Sequence, residues 1–393
     1  MQKRYLLVAL GLLACTSAPV PATNSSATQT VAVATFNAGL ARNFVGLAAE
    51  RVDPVAKAVA GLDADIVCLE EVWEDQDVTA VLAAATPNFP YNYHVATSED
   101  VAVGTPSACT PGDAAPLKAC VDAHCATAPT LSDCALKQCG KEYLAASHDC
   151  QTCLAANIYL NSIPKIFDAC AASSATKFEK GRNGVILLSK VPLQQTSVKM
   201  LDSFLIQRVV LNAKATIQGQ PTHVFCTHIQ AGLGDVAYSG KYGSWQGEQK
   251  QQLLDMTAWM NQIAGTDPLI LLGDLNCGPV LPPDIKSDFP ENFVIVQNEL
   301  HTTNIPFINA KPPICSWCDA NLLTEPTPDQ IIDHVVLRDG MNGSDQIHLG
   351  SQEVSRILDQ PITVNLPSGP TTTNLSDHYG VRVRVVVAGP GKA

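Results

Sequence analysis

Six apolar runs of strand length in this chain each meet polar, chemistry-bearing residues at one end, and this pattern constrains the fold more than any other feature. Val31-Ala-Val-Ala-Thr-Phe36 leads into Asn37, and Asp65-Ile-Val-Cys-Leu69 into Glu70 and Glu71. His223-Val-Phe-Cys-Thr227 leads into His228, and Pro268-Leu-Ile-Leu-Leu-Gly273 into Asp274 and Asn276. Two more carry the polar group at their start, Asp333-His334 and Asp377-His378. A single such end has an ordinary explanation, because strands stop at polar turn residues or helix caps. Together the six supply carboxylates, amides and imidazoles in the combination that metal-assisted attack of water on phosphorus requires.

Further strand-length runs fall at residues 91–96, 184–189, 208–217 and 381–387, with amphipathic helical stretches at 50–60 and 248–263. Several strand runs follow one another with no helix between them, which favours mixed or antiparallel sheets over a doubly wound parallel one. Eight of the fourteen cysteines lie between residues 104 and 180. Within that stretch Cys120-x4-Cys125 and Cys134-x4-Cys139 repeat one spacing in Ala/Leu-rich, helical sequence. A zinc site using Cys150, Cys153 and His124 or His148 is one reading, and a disulfide-stapled helical insertion is the favoured one. Eight cysteines allow 105 pairings, so connectivity is not legible. With 104–180 set aside, the remainder of 31–390 suits one large domain.

Lys3 and Arg4 precede an apolar run from Tyr5 to Leu13 that is too short to span a bilayer, so residues 1–14 are expected to be a signal peptide. Leu12-Leu13-Ala14-Cys15 resembles the bacterial lipoprotein processing box, which implies a lipidated Cys15 anchoring the chain to a membrane. An ordinary secretory signal is the alternative. Residues 15–30 read as a flexible Ser/Thr/Ala/Pro-rich tether. Export, as an outer-membrane or cell-surface lipoprotein or in free form, is therefore expected, with a monomer as the working state. The net charge of −12 has the wrong sign for a basic nucleic-acid clamp. A metal-dependent enzyme can nevertheless hold phosphate through its cation.

Residue type suggests roles. Oxygen donors such as Glu71 and Asn37 suit Mg²⁺, with Mn²⁺ or another divalent cation as the alternative. A histidine backed by a carboxylate takes a proton from water near neutral pH. Asp274 and Asn276, two residues apart, share one face at a strand end.

Thr35-Phe-Asn37, Leu69-Glu-Glu71-Val, Gly273-Asp-Leu-Asn276 and Ser376-Asp-His378-Tyr resemble, in this order, the motifs of the endonuclease/exonuclease/phosphatase superfamily. The resemblance implies an α/β fold: a four-layer α/β sandwich with two mixed, mostly antiparallel sheets, here carrying the Cys-rich helical insertion. It implies a metal site of Glu71, supported by Asn37, with Asp377 nearby. It also implies His378 paired with Asp333 as base, Asp274 as the residue that orients or deprotonates water, and Asn276 and His228 as stabilisers of the developing charge. The choice of base between Asp274 and His378 stays open. Val67-Cys-Leu-Glu-Glu-Val-Trp-Glu-Asp-Gln-Asp77, Asn183-Gly-Val-Ile-Leu-Leu-Ser-Lys-Val-Pro192, Thr227-His-Ile-Gln-Ala231 and Ser316-Trp-Cys-Asp-Ala-Asn321 are similar to the neutral sphingomyelinase branch. Departures are Glu70, where many relatives have Gln, and His334, where an aromatic commonly follows the aspartate. Strand alternation allows only one of Glu70 and Glu71 to face the metal, and the motif register selects Glu71.

The loop 231–247, with Tyr238, Tyr242 and Trp245, is a candidate for head-group contact or a plain connection, while Trp73 and Trp259 read as core. Gly232-Leu-Gly234-Asp-Val-Ala237 fits a dinucleotide fingerprint only formally, since no helix pattern follows. The sequence contains no G-x-S-x-G, P-loop or H-E-x-x-H. The leading expectation is an exported Mg²⁺-dependent phosphodiester hydrolase of sphingomyelinase type, its partner a phosphodiester with a lipid head group rather than nucleic acid. A secreted nuclease and a non-catalytic, surface-tethered binding module are the alternatives.

Overall fold

The computed structural model describes residues 30–388 apart from 43, 97–106, 127, 129–130, 161, 173–176, 235–237, 239 and 325. The expected signal peptide and Cys15, and all but the last residue of the tether, lie outside the described residues. The strands are β1 (Val31–Asn37), β2 (Ile66–Glu70), β3 (Tyr91–His94), β4 (Ile186–Ser189), β5 (Gln194–Met200), β6 (Val209–Ile217) and β7 (Gln220–His228). They continue as β8 (Leu269–Asp274), β9 (Asp333–Arg338), β10 (Gly340–Asn342), β11 (Asp345–Ile357), β12 (Ile362–Leu366), β13 (Gly369–Thr373) and β14 (Gly380–Ala388). The helices are α1 (Ala48–Ala60), α2 (Asp75–Ala85), α3 (Pro111–His124), α4 (Leu131–Ala145), α5 (His148–Ala156), α6 (Ile163–Ala172), α7 (Trp245–Ala264) and α8 (Pro290–Glu299).

One sheet orders its strands β10-β11-β14-β1-β2-β4-β3 and the other β5-β6-β7-β8-β9, with β12-β13 a separate hairpin. The pairs β1-β2 and β7-β8 are parallel and the remaining ladders antiparallel, as the helix-free succession of runs predicts. Alternation along β2 shows how the layers form. Ile66 and Cys68 join the core between the sheets, whereas Val67 and Leu69 meet Val55, Val59 and Val81 of α1 and α2 on the outer face. On the far side Leu253, Met256 and Met260 of α7 pack with Phe225, Leu271 and Val336. Both sheets are thus apolar on both faces, which gives the expected helix–sheet–sheet–helix sandwich.

The segments left unread, β5 and β10 to β13, lie at sheet margins or in the small hairpin. β5 reads Gln-Gln-Thr-Ser-Val-Lys-Met and has no fully buried residue. Strands in such places need no apolar run. The run expected at 91–96 stops at His94.

The insertion is helical, and its eight cysteines all form disulfides. Cys109–Cys150, Cys120–Cys139 and Cys125–Cys134 nest one inside the next, and Cys153–Cys170 ties α5 to α6. The repeated C-x4-C spacing therefore belongs to two antiparallel helices stapled twice, and the zinc reading fails. Cys68–Cys226 joins the two sheets, Cys315–Cys318 closes a tight loop, and Cys277 is a buried free thiol.

Candidate active site

Strand register builds the site. His228 ends β7 beside Asp274 at the end of β8, and Asp274 lies opposite Asp333 at the start of β9. Three adjacent backbones thus line up one imidazole and two carboxylates at roughly the 4.8 Å strand spacing. The other sheet contributes Asn37 from the end of β1, opposite Glu70 in register. Asp377 and His378 arrive on the turn before β14, where His378 bridges to Trp317. All eight residues expected at the site come together, four of them, Asn37, His228, Asp274 and Asp333, as terminal residues of strands.

Glu71 reaches the site by breaking the strand. Alternation directs Glu70 between the sheets, on the side of Cys68, and would send the next residue toward the helices. Glu71 adopts φ 58° instead, a left-handed conformation that a non-glycine residue holds only under constraint, and turns its carboxylate inward to 3.9 Å from His228 Nε2. Of the two acids only Glu71 lines the cavity, and this kink, rather than strand alternation, is what directs it there. Glu70 lies deeper, accepting from Thr35 Oγ1 at 2.6 Å, and burial pushes its carboxyl well above the ordinary range.

Asp274 is the hub. Its Oδ2 accepts from Asn37 Nδ2 at 2.9 Å and its Oδ1 from the Asn276 backbone N–H at 2.8 Å. His228 Nε2 lies 3.5 Å and His378 Nε2 3.8 Å from Asp274 Oδ2. Burial first, then the negative charge of Asp333, raises Asp274 to about 7, with His378 and the two hydrogen bonds opposing. His378 Nδ1 contacts Asp333 Oδ2 at 2.9 Å. Burial alone would lower His378, but Asp333 and then Asp274 raise it well above the ordinary value. His228 goes the other way: burial, and after it the charge of Arg208, hold its imidazole neutral.

Three facts bear on a metal. Burial, and after it the negative charge of Asp377, raises Glu71, so two acids face the same space. The donors are oxygens, which suits a hard dication. A Cβ at Gly39, whose φ is +54°, would lie 2.4 Å from Asp377 Oδ1, so the cradle admits only glycine. These residues fit a divalent cation held by Glu71 and Asp377. Asn37 presents Nδ2 to Asp274 while its Oδ1 accepts from Gly39 N–H, so ligation through Oδ1 requires the amide to turn over. Asn276 uses one amide hydrogen on Ile229 O at 2.9 Å.

Arg208 and Arg51 were not among the residues expected at the site. Arg208 is 2 % exposed, and its Nε and Nη1 have no hydrogen-bond partner. It adjoins Glu71 and Asp274, and burial lowers it to about 10. Its signal was a lone arginine opening the apolar run 208–217. Arg51, fully buried, donates to the carbonyls of Ala38, Gly39, Gly46 and Leu375, clamping the loop after β1 to the turn that carries Asp377. His334 faces away from the site. Its ring lies 4.7 Å from that of Phe293, centroid to centroid, and its Nε2 contacts Cys277 O at 2.8 Å.

A cavity of about 520 Å³ opens over the catalytic residues and is lined in part by Trp73, Phe178, Arg208 and Trp317. Trp73 is therefore both core and cavity wall. Tyr238 and Trp245 instead pack on Phe204, and Tyr242 donates to Asp202, so the 231–247 aromatics serve the loop's own packing.

Residues 34–378 match the Endonuclease/Exonuclease/phosphatase family. No curated protein matches the sequence. Among solved structures, beta toxin from Staphylococcus aureus with bound magnesium ions is similar at 12% identity and TM-score 0.52, covering 91% of this chain and 99% of that one. Sphingomyelinase C from Streptomyces griseocarneus is similar at 17% identity and TM-score 0.50, with coverage of 91% and 99%. D. rerio TDP2 complexed with single strand DNA product is similar at 14% identity and TM-score 0.50, with coverage of 91% and 98%. The strand-end acids, the buried His–Asp pair and the match over residues 34–378 lead to one assignment: the chain belongs to the endonuclease/exonuclease/phosphatase family and is a metal-dependent phosphoric diester hydrolase.

Proposed function

We propose that this enzyme is an exported Mg²⁺-dependent lipid phosphodiesterase of the sphingomyelinase C type, releasing phosphocholine from sphingomyelin. The observation that carries the lipid reading is the scarcity of cations around the site. Among the described residues, the lysines and arginines lining the cavity are Arg208 at the catalytic end and Lys137 on the insertion. A nucleic-acid backbone needs a basic track, and the chain carries −12 overall. One buried guanidinium with free N–H groups suits a single phosphate.

The residues divide the work as follows. When bound at Glu71 and Asp377, Mg²⁺ supplies charge neutralisation at the phosphate. Asp274, fixed by Asn37 and Asn276, orients the attacking water, and the pair Asp274–His378 takes up its proton. Asp333 holds His378 by Nδ1 so that Nε2 faces the reaction. Neutral His228 donates to a phosphate oxygen, joined by the free amide hydrogen of Asn276 and by Arg208. The six disulfides among the described residues support the reading of an oxidising, exported setting, which accords with a lipid anchor at Cys15.

The test is product release from sphingomyelin vesicles alongside plasmid DNA, with Mg²⁺ and with EDTA. Metal-dependent phosphocholine release that drops at least a hundredfold in Glu71→Gln is expected. DNA cleavage with sphingomyelin left intact would replace this reading with a nuclease. Activity on neither would withdraw the lipid assignment.

A further inference from the structure

The cavity above the catalytic residues extends into the insertion as one continuous space. At one end lie Glu71, Asp274 and His378, and at the other Val121 of α3, Leu131 of α4, Leu154 of α5 and Ile166 of α6. Those four apolar residues are also core members of the insertion, each 9 % exposed or less. These side chains pack with one another in the insertion's core and also form part of the wall of the open space. A void in an apolar core forfeits packing contacts, and native interiors avoid it. Four disulfides between Cys109 and Cys170 hold this shell in shape.

We propose that the insertion is the binding site for the hydrocarbon chain of the substrate, a single amphiphilic phosphodiester whose phosphate rests at Glu71, Asp274 and His378 while its tail runs between α3, α4, α5 and α6. This deepens the lipid-phosphodiesterase reading and rests on it for the identity of the polar end. The volume lies within the range of pockets that enclose small ligands, about 300–1,000 Å³. An apolar wall offers water few of the two to four partners that an ordered water takes. Among the described residues Lys137 is the one cation of the insertion that lines the space, so they offer a second phosphate no further basic partner there. The occupant that matches the wall along its length is an alkyl or acyl chain, reached from the membrane one molecule at a time.

The experiment uses the full chain and alkylphosphocholines from butyl to dodecyl, each kept monomeric below its micelle concentration. Hydrolysis breaks the phosphorus–oxygen bond to the alkyl group; water's hydroxyl goes to phosphorus and its proton to the departing alkoxide. The expected kcat/KM rises by up to about fourfold per added methylene until the tail fills the cavity. Leu154→Trp, which fills the space, is expected to flatten that rise, and Val121→Phe serves where Leu154→Trp does not fold. A second readout is fluorescence of dansylundecanoic acid on the Glu71→Gln chain, expected to saturate at one probe per chain and to weaken in the cavity-filling variant. A kcat/KM independent of chain length, or a probe that does not saturate, overturns the proposal. Saturable probe binding with no diester cleaved leaves the chain site standing and removes the activity reading instead.

Discussion

Replacing Asp333 by asparagine tests the catalytic constellation at its most buried point. Asp333 is fully buried, ends its Oδ2 on His378 Nδ1 at 2.9 Å and is not among the residues lining the cavity, so it contacts no substrate. Asparagine keeps the shape but removes the charge that most raises His378, and its amide hydrogens compete for the place of the Nδ1 contact. Removing one partner of a buried charged pair costs about 3–5 kcal/mol. Carried into the transition state at about 1.36 kcal/mol per decade, that becomes a loss of about 10²- to 10⁴-fold in kcat/KM. The expected loss falls on kcat, with KM close to wild type. The assay is Mg²⁺-dependent hydrolysis of bis-p-nitrophenyl phosphate by wild type, Asp333→Asn, His378→Ala and the double variant, each checked for folding by circular dichroism. Residues acting as a unit are non-additive, so the double variant is expected to be no slower than His378→Ala alone. Full additivity of the two losses, in proteins that remain folded, would refute the pairing.

His334 links the fold to pH. Burial lowers its imidazole to about 4, so it is neutral in the folded state while the unfolded chain takes up a proton below about 6.5. The stability this represents is whole above 6.5 and is lost as pH falls toward 4, a total of about 3 kcal/mol and about 2 kcal/mol between pH 7 and 5. His334→Phe keeps the ring contact with Phe293 and is expected to flatten the pH dependence by that amount in urea unfolding; an unchanged slope contradicts the assignment. Cys68–Cys226 closes a separation of 158 residues, which in the chain-entropy account is worth up to about 5 kcal/mol. The Cys68→Ala/Cys226→Ala double variant should unfold several degrees lower, and an unshifted midpoint would mean that the bond constrains little.

The site was legible where its residues end strands. Asn37, His228 and Asp274 each close an apolar run, and runs of that kind fix both the element and the end at which its polar group emerges. Asp333 and Asp377 were legible from the opposite ends of theirs. Glu71 was found by motif alone; alternation would have sent it to the helix layer, and the left-handed kink that returns it to the site has no local signal. Arg208 was passed over because an arginine before a strand is ordinarily solvated, and only the packing of β6 against its neighbours buries it. The margin strands β5 and β11 lack apolar runs because much of their surface meets solvent. In the insertion the cysteine spacing showed staples, but the partners, and the hollow they surround, arise from how four helices meet in space.

The bond between Cys68 and Cys226 has a further consequence for motion. Cys68 lies three residues from Glu71 and Cys226 two from His228, so the link joins the halves of the site contributed by the two sheets immediately beneath them. Packed layers ordinarily adapt to ligands by small shear displacements. A covalent tie at this point suppresses shear where it would pull Glu71 away from His228. Accommodation of substrates of different bulk is thereby left to the insertion and the loops, while the reacting groups keep one spacing through every turnover.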